Sequence, residues 1–237
     1  MSNGCVTRFL TCVAPIIGCL FFLAPLEVVA QNPEVTGFYG RAGASVGMIE
    51  SERLERLNAR LPTLLIESGF LPANARVLEA RVDVDALLGA SIGLGWRFHP
   101  RWAIEASFAW MEARADFSLS FVTPAPLPDV TSGVTNAGQV SAWNFVGEAK
   151  GYLMTGIIQP YGSLGLGVMS ESAELGPEKN LFVRWMETGF APRFGGGLDL
   201  ILMPRIALNL DAGYFLGTGS LAGEDLISIR LGVLGRF

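Results

Sequence analysis

The sequence predicts an all-β fold, an eight-stranded antiparallel transmembrane β-barrel. Apolar and polar residues alternate in repeated runs, which is the pattern of strands with one apolar and one polar face. Mean hydropathy is +0.40, yet after residue 30 no stretch approaches the ~20 apolar residues of a membrane helix. Charged residues make up 16% of the chain, whereas a soluble domain carries about 25%.

The first 30 residues have the composition of a cleavable secretory signal. Arg8 supplies a positive charge, residues 9–26 are almost wholly apolar, and Ala30 ends a plausible cleavage site. We therefore expect a signal peptide over 1–30 and a barrel domain over 31–237. The mature chain would then have no thiol or disulfide chemistry, because every cysteine lies in the signal. These cysteines are Cys5, Cys12 and Cys19.

The first four predicted strands are set by long alternating runs. The second is the longest, with nine apolar residues from Val82 to Phe98 at every second position. A tight turn at Pro100 separates it from the third, because proline stops a strand ladder. The fourth alternates from Trp143 to Leu153. The four strands span 37–48, 82–98, 102–110 and 141–154.

The last four predicted strands follow the same period. Short turns precede the fifth and the seventh, and the eighth places only apolar residues or glycine on one face while Arg230 and Arg236 lie on the other. Its eleven residues match a tilted membrane strand. We expect this strand, which ends on the aromatic residue Phe237, to be paired on both sides, as in a closed barrel. The four strands span 160–169, 190–202, 206–214 and 227–237.

The connections alternate in length, as expected for a bacterial outer-membrane barrel with short periplasmic turns and long extracellular loops. A soluble sandwich would instead have polar residues on its outward faces. The links after the second, fourth and sixth strands are a few residues long. The long connections are 49–81, 112–140, 170–189 and 216–226.

Several motifs are similar to those of the small eight-stranded outer-membrane barrels, the group of the OmpA transmembrane domain and the opacity-protein porin-like proteins. They are Phe38-Tyr39-Gly40, Pro160-Tyr161-Gly162, the stretch 195–199 and the terminal Phe237 with its alternating apolar partners. The resemblance covers 37–237 and implies a place in the outer membrane of a Gram-negative-type bacterium. It also implies that the assembly machinery reads the C-terminal strand, with Phe237, Val233 and Leu231 as the signal.

Charges in the membrane strands fall on the inward rows only, as expected when Arg or Lys facing lipid costs ~2–4 kcal/mol. Six acids and six bases balance, so we predict an internal salt-bridge network that plugs the lumen. A narrow water-filled pore lined by the same charges is the alternative. The predicted network consists of Arg41, Asp83, Asp85, Arg97, Glu105, Glu148, Lys150, Arg193, Asp199, Asp211, Arg230 and Arg236.

Large aromatic residues lie towards strand ends on the outward rows, where aromatic girdles meet lipid headgroups. This predicted girdle consists of Trp96, Trp102, Trp110, Trp143 and Tyr214. The expected partners are accordingly outer-membrane lipid, lipopolysaccharide and the assembly machinery. The net charge of −5 gives no reason to expect nucleic acid, and we expect a monomer.

The sequence favours a protein that is not an enzyme and holds no cofactor. The only histidine after the signal, His99, lies in a predicted periplasmic turn, so nucleophile activation has no obvious base. Asp83 and Asp85 are more simply interpreted as salt-bridge partners than as an acid–base pair. Metal binding lacks cysteine and clustered histidine.

The first long connection contains a predicted helix. Ser51 is a suitable cap, Leu54, Leu57 and Leu61 share one helical face, and Pro62 is expected to end or kink the helix. It is either a lid folded over the barrel mouth or an interfacial, partner-binding element. For the whole protein, two functions stay open. One is a structural and surface-interaction role, and the other is a small porin-like channel or carrier for small solutes, apolar ones included.

Overall fold

A computed structural model of the chain describes residues 36–72, 74–123, 129–175 and 183–237. The expected signal peptide, 1–30, lies outside the described residues. No helix in the described ranges is long and apolar enough to cross a membrane.

The described chain forms nine strands, one α-helix and a short 3-10 turn at Gly219–Leu221. The first half contains β1 (Gly37–Ser51), α1 (Glu52–Glu67), β2 (Arg76–Val84), β3 (Leu87–His99) and β4 (Trp102–Thr123). The second half contains β5 (Asp129–Tyr152), β6 (Ile158–Leu175), β7 (Val183–Met203), β8 (Ile206–Phe215) and β9 (Glu224–Arg236).

The strands close into an antiparallel barrel with eight positions around its wall. β2 and β3 follow one another along the same side of β4, so together they occupy one position. The barrel closes where β1 pairs with β9, from Tyr39 opposite Arg236 to Ser51 opposite Glu224. Glycine is needed at this seam, since a Cβ on Gly43 would lie 2.2 Å from the Leu231 carbonyl oxygen.

The middle of the wall is apolar outside and polar inside, as the sequence predicts. On β4, Ile104 and Phe108 are exposed on the outer surface, whereas Glu105 and Ser107 are buried inside. The predicted girdle residues lie on the outer face in two belts. Trp96 and Trp102 flank the β3–β4 turn, and Trp110 lies directly opposite Trp143, with Tyr214 near the far end of β8.

The spacing of the two belts matches a membrane. Trp102 and Trp110 are eight residues apart on β4, which is roughly 26 Å along a strand at ~3.3 Å per residue. A strand tilt of ~40° reduces this to roughly 20 Å along the barrel axis, close to the ~25 Å apolar band of such barrels. We treat the wall between the belts as the membrane-spanning segment.

Beyond the Trp110–Trp143 belt the wall reverses its polarity. On β4, Met111 and Phe117 are buried inside, whereas Arg114 and Asp116 face outward. The connections predicted at 112–140 and 170–189 are therefore mostly strand, because β4 to β7 continue well past the belt. The prediction missed these extensions because it required apolar residues on the outer face, which holds only within lipid.

The second predicted strand is also corrected. Its regular alternation hides a break at residues 85–86, where β2 ends and β3 begins. Val82 is buried inside and Asp83 is exposed, whereas Leu87 is buried inside and Leu88 is exposed, so the inward face changes parity across the break. The alternation continues without a gap because the apolar face itself changes sides at the edge of the membrane.

The helix α1 starts where expected and ends later than predicted. The Leu54 amide donates to the Ser51 side chain at 3.1 Å, which caps the N-terminus. The helix continues through Pro62 to Glu67, since burial of Leu61 and Leu65 holds the second half in place. Both leucines pack inside the extended wall against Phe117 and other apolar residues. These are Leu71, Ala75, Val82, Ala115, Val140, Ala173 and Leu175.

Candidate functional site

The inward rows of the membrane-spanning wall bring charged side chains from six strands together in the lumen. All eight are at most 4% exposed, and their charges sum to zero. They are Arg41, Glu105, Glu148, Lys150, Arg193, Asp199, Asp211 and Arg230. We call this set the charged layer.

One half of the charged layer is built around Glu105. Its carboxylate accepts from Arg41 Nη2 at 2.8 Å and from the Tyr39 hydroxyl at 2.9 Å. Lys150 Nζ bonds the same carboxylate and lies 3.7 Å from Glu148 Oε1. Lys150 therefore links two glutamates that come from neighbouring strands.

The other half is built around Arg193, which is fully buried. Its guanidinium bonds the carboxylates of Glu148 and Asp211 and the Ser163 hydroxyl at 2.8 Å. Arg230 Nε lies 3.4 Å from Asp211 Oδ1. With the Glu105 half, this gives an unbroken chain of alternating charges that crosses the lumen.

Asn209 joins the remaining acid, Asp199, to the chain. Its amide oxygen accepts from Arg41 Nη1 at 3.0 Å, and its amide nitrogen donates to Asp199 Oδ1 at 2.7 Å. Tyr152 and Tyr161 donate to Asp199 and Asp211, each at 3.0 Å. The sequence prediction considered charges only and missed these neutral partners, although they lie on the same inward rows.

Two predicted network members, Arg97 and Arg236, lie at the β3–β4 turn end of the lumen. Arg97 Nη1 donates to Gln159 Oε1 at 2.6 Å, and its guanidinium stacks 3.7 Å from the centre of the Tyr152 ring. Arg236 Nη2 donates to the same oxygen at 3.3 Å. Neither arginine forms an ion pair with an acid among the described residues.

Asp83 and Asp85 are not in the lumen. Asp83 pairs with Arg81 at 2.6 Å on the exposed face, and Asp85 is exposed beside an outer groove that Glu112 and Arg114 also line. Their predicted inward position was wrong because the face of the strand changes at residues 85–86.

Above the charged layer the lumen is filled by apolar side chains. Phe215 is fully buried, with the guanidinium carbons of Arg193 and Arg230 5.7 and 6.0 Å from its ring centre. It packs with other buried residues from the surrounding strands and the last loop. These include Leu87, Met111, Val146, Met169, Leu221 and Leu226. A second, apolar layer therefore lies between the charged layer and α1.

The helix α1 is fixed to the wall on two sides. The Asn58 side chain accepts from the Val82 amide at 2.8 Å and donates to the Val82 carbonyl at 3.1 Å, pairing with the free edge of β2. At the other end, the Glu52 amide donates to the Gly223 carbonyl at 3.0 Å. These contacts place α1 as a lid, so we call residues 52–67 the lid.

The predicted assembly residues lie on the outer surface. Val233 and Leu231 are exposed on β9, and Phe237 is exposed while its amide donates to the Phe38 carbonyl at 3.1 Å. Their role in assembly stays a prediction. Among the described residues, acids, histidines and cysteines form no group suited to a metal ion.

Neither a protein-family model nor a curated protein matches the sequence. Solved structures do match. Neisserial surface protein A is 14% identical, over 85% of this chain and 98% of that one, with a TM-score of 0.53. The outer membrane protein OprG from Pseudomonas aeruginosa is 13% identical, over 85% of this chain and 96% of that one, with a TM-score of 0.51.

The fold is that of the small eight-stranded outer-membrane barrels. The eight-stranded antiparallel barrel predicted from the sequence is therefore confirmed, and the resemblance to this group holds at the level of the fold.

Proposed function

We propose that this protein is an integral outer-membrane barrel with a structural and surface-interaction role and a closed lumen. The observation that supports closure most directly is the charged layer, in which acids and bases of equal number bond one another across the lumen. An eight-stranded barrel has an interior that side chains can just fill. Such a protein would contribute to the integrity of the envelope and present its lid and strand extensions outside the cell.

Conductance across a planar bilayer tests the closed lumen. The refolded full-length barrel is expected to show no stable openings, and so is a variant whose residues 52–67 are replaced by a flexible linker, since the charged layer closes the lumen without the lid. Stable openings of the full-length barrel would overturn the proposal. Openings of the linker variant alone would show that the lid, and not the charged layer, blocks conduction.

The proposed location and partners rest on the outer surface. The apolar band between two aromatic belts fits outer-membrane lipid, and the polar wall above it fits the sugars of lipopolysaccharide. Cell fractionation tests the location, and a mature N-terminus at Gln31 would establish signal cleavage. Truncation of Phe237 is expected to reduce the folded protein in the membrane while leaving refolding in detergent unchanged, as a role in assembly requires.

The proposed role is not enzymatic. His99 lies in the β3–β4 turn, where its Nδ1 accepts from the Arg101 amide at 3.2 Å. The buried acids of the charged layer are bonded to cations or hydroxyls, which supports a structural and not a catalytic use of them.

A gap in wall pairing favours a second candidate, passage of small apolar compounds through the side of the barrel. β1 pairs with β3 only as far as Gly47 opposite Leu87, although it continues along β9 to Ser51. The described strand β2 pairs with β4 alone. Behind these two unpaired edges lie Ile49 and Val84, which contact both apolar clusters of the interior.

Uptake of a small apolar dye into protein-containing vesicles tests this second candidate. A carrier would take up the dye faster than protein-free vesicles and would lose that gain in the variant Val84→Lys, which places a charge behind the gap. Equal uptake with the wild type and without protein would leave only the structural role.

A further inference from the structure

Three carboxylates and one guanidinium lie where the lid begins. Arg53 extends from the first turn of α1, Glu224 starts β9, and Glu171 on β6 lies directly opposite Glu187 on β7. Glu171 is level with Ala142, one residue beyond the outer aromatic belt. The cluster therefore lies outside the membrane-spanning segment.

Arg53 ties the lid to two strands and to the last loop. Its Nη1 lies 3.2 Å from Glu187 Oε1, its Nε lies 3.5 Å from Glu224 Oε1, and its Nη2 donates to the Ser220 carbonyl at 2.7 Å. Its backbone amide also donates to Glu224 Oε1 at 3.3 Å. Glu224 thus holds the helix N-terminus, where a negative charge is favoured.

Glu171 has no cation of its own among the described residues. It is 3% exposed and Glu224 is 1% exposed. Glu171 lines a cavity of about 20 Å³ together with Trp185 and with Ser51 and Leu54 at the start of the lid, and Ser51 is paired with Glu224 in the sheet. A charge on Glu171 would therefore be buried beside the Glu224 carboxylate. The nearby cation, Arg53, is already shared between Glu224 and Glu187.

These surroundings change the acidity of Glu171. Burial, with the adjacent Glu224 carboxylate, raises its pKa from the ordinary value of 4.5 to about 7, while Arg53 acts in the opposite direction. Protonated Glu171 can donate a hydrogen bond to Glu224. Ionised Glu171 repels Glu224 and weakens the hold of Glu224 on α1.

We propose that Glu171 is a proton-sensitive latch for the lid: its proton keeps α1 fastened to β7 and β9, and loss of that proton frees the N-terminus of α1. The charged groups described around Glu171 are Glu224 of β9, Arg53 of α1 and Glu187 of β7. Of these four groups, Glu171 is the one whose charge the proposal requires to change.

The direction of the pH effect on the lid follows from the pKa of Glu171 in the released and the fastened state. In the released state Glu171 meets water and has its ordinary pKa of 4.5, and in the fastened state that pKa is about 7. The fastened state is then most stable below pH 4.5, weakens as the pH rises to about 7, and changes little above that. The ratio of released to fastened lid is expected to rise at least tenfold across this window.

Two spin labels measure the release. All cysteines lie in the first 30 residues, so labels on Ala59→Cys and Ala222→Cys, both at exposed positions, are unique in the mature barrel. In the refolded protein without residues 1–30, the distance distribution between the labels should be narrow at pH 4.5 and gain a broad, longer component by pH 8. Retained heat-dependent gel mobility verifies that the barrel stays folded.

Matched variants separate the latch from other causes. Glu171→Gln, which cannot ionise, is expected to stay fastened from pH 4.5 to pH 8. Glu187→Gln removes the more exposed partner of Arg53 and is expected to keep the pH response. No pH response in the wild-type background, or a response that persists in Glu171→Gln, would overturn the proposal.

Discussion

The charged layer and the apolar core beneath the lid are enclosed by the same strands, yet the first consists of charged side chains and the second of apolar ones. Within the membrane band the wall has its apolar side towards lipid, and its interior is held by ion pairs such as Arg193 with Asp211. Above the band the polar side faces outward, and the interior is an ordinary apolar core containing Leu65 and Phe117. The interior is polar where the outer face meets lipid and must be apolar, and it is apolar where the outer face meets water.

The comparison also separates two kinds of stability. In the charged layer every member except Asp199 bonds an opposite charge, so loss of one charge leaves another buried without compensation. In the core beneath the lid, burial is shared among many apolar contacts, and the helix that completes it is fastened by a few polar ones. We therefore expect damage to the first to affect the whole barrel and damage to the second to stay local.

The largest effect is expected from Arg193→Met. It leaves the Glu148 and Asp211 carboxylates without their shared cation inside the lumen, and the loss of one member of a buried pair costs ~3–5 kcal/mol. Urea unfolding in lipid vesicles, followed by tryptophan fluorescence, measures the free energy of unfolding. Asp83→Asn is the control, since its pair with Arg81 is exposed and worth at most about 1 kcal/mol. Equal values for the two variants would contradict the layered description.

A smaller and local effect is expected from Leu65→Ala. Leu65 is fully buried, and replacing a buried leucine by alanine costs ~2–5 kcal/mol. Hydrogen exchange of the α1 amides should become faster, while the urea midpoint of the barrel stays unchanged. Leu64→Ala, at a half-buried neighbouring position, should accelerate exchange less. A lower urea midpoint for Leu65→Ala would show that the lid and the barrel unfold together.

The smallest effect is expected from Asn58→Ala, which removes the two hydrogen bonds to Val82. Each is worth ~0.5–1.5 kcal/mol, so the lid should loosen by about 1–3 kcal/mol. Exchange of the Val82 amide reports this directly. Asn58→Asp keeps the acceptor for that amide and should protect it better than alanine does. Unchanged Val82 exchange in Asn58→Ala would mean that the edge of β2 is held by other contacts.

The sequence predicts the membrane-spanning part of this fold well because one physical rule applies throughout it. Lipid on one side forces apolar residues to every second position, so the faces from Leu87 onward, the belts and the inward position of ten of the twelve predicted network charges agree with the structure. The rule stops at the outer belt, where water replaces lipid. Asp83 and Asp85 were misplaced for that reason, and the extensions of β4 and β5 were missed.

Partner choice within the lumen could not be predicted in the same way. Period-two alternation gives the face of a side chain, whereas a contact such as Arg41 with Glu105 depends on the tilt and stagger of strands that are not adjacent in sequence. Asn209 and the lumen tyrosines could have been included, because they lie on the rows that hold the charges.

The length of β4 sets how far the wall rises beyond the outer belt. Thirteen residues separate Trp110 at the outer belt from Thr123 at the strand end, roughly 43 Å along the strand at ~3.3 Å per residue and roughly 30 Å along the membrane normal at a tilt of ~40°. In the proposed orientation, with this end outside the cell, a large macromolecule that approaches the membrane would first meet the paired strands β4 and β5 and not the lid below them.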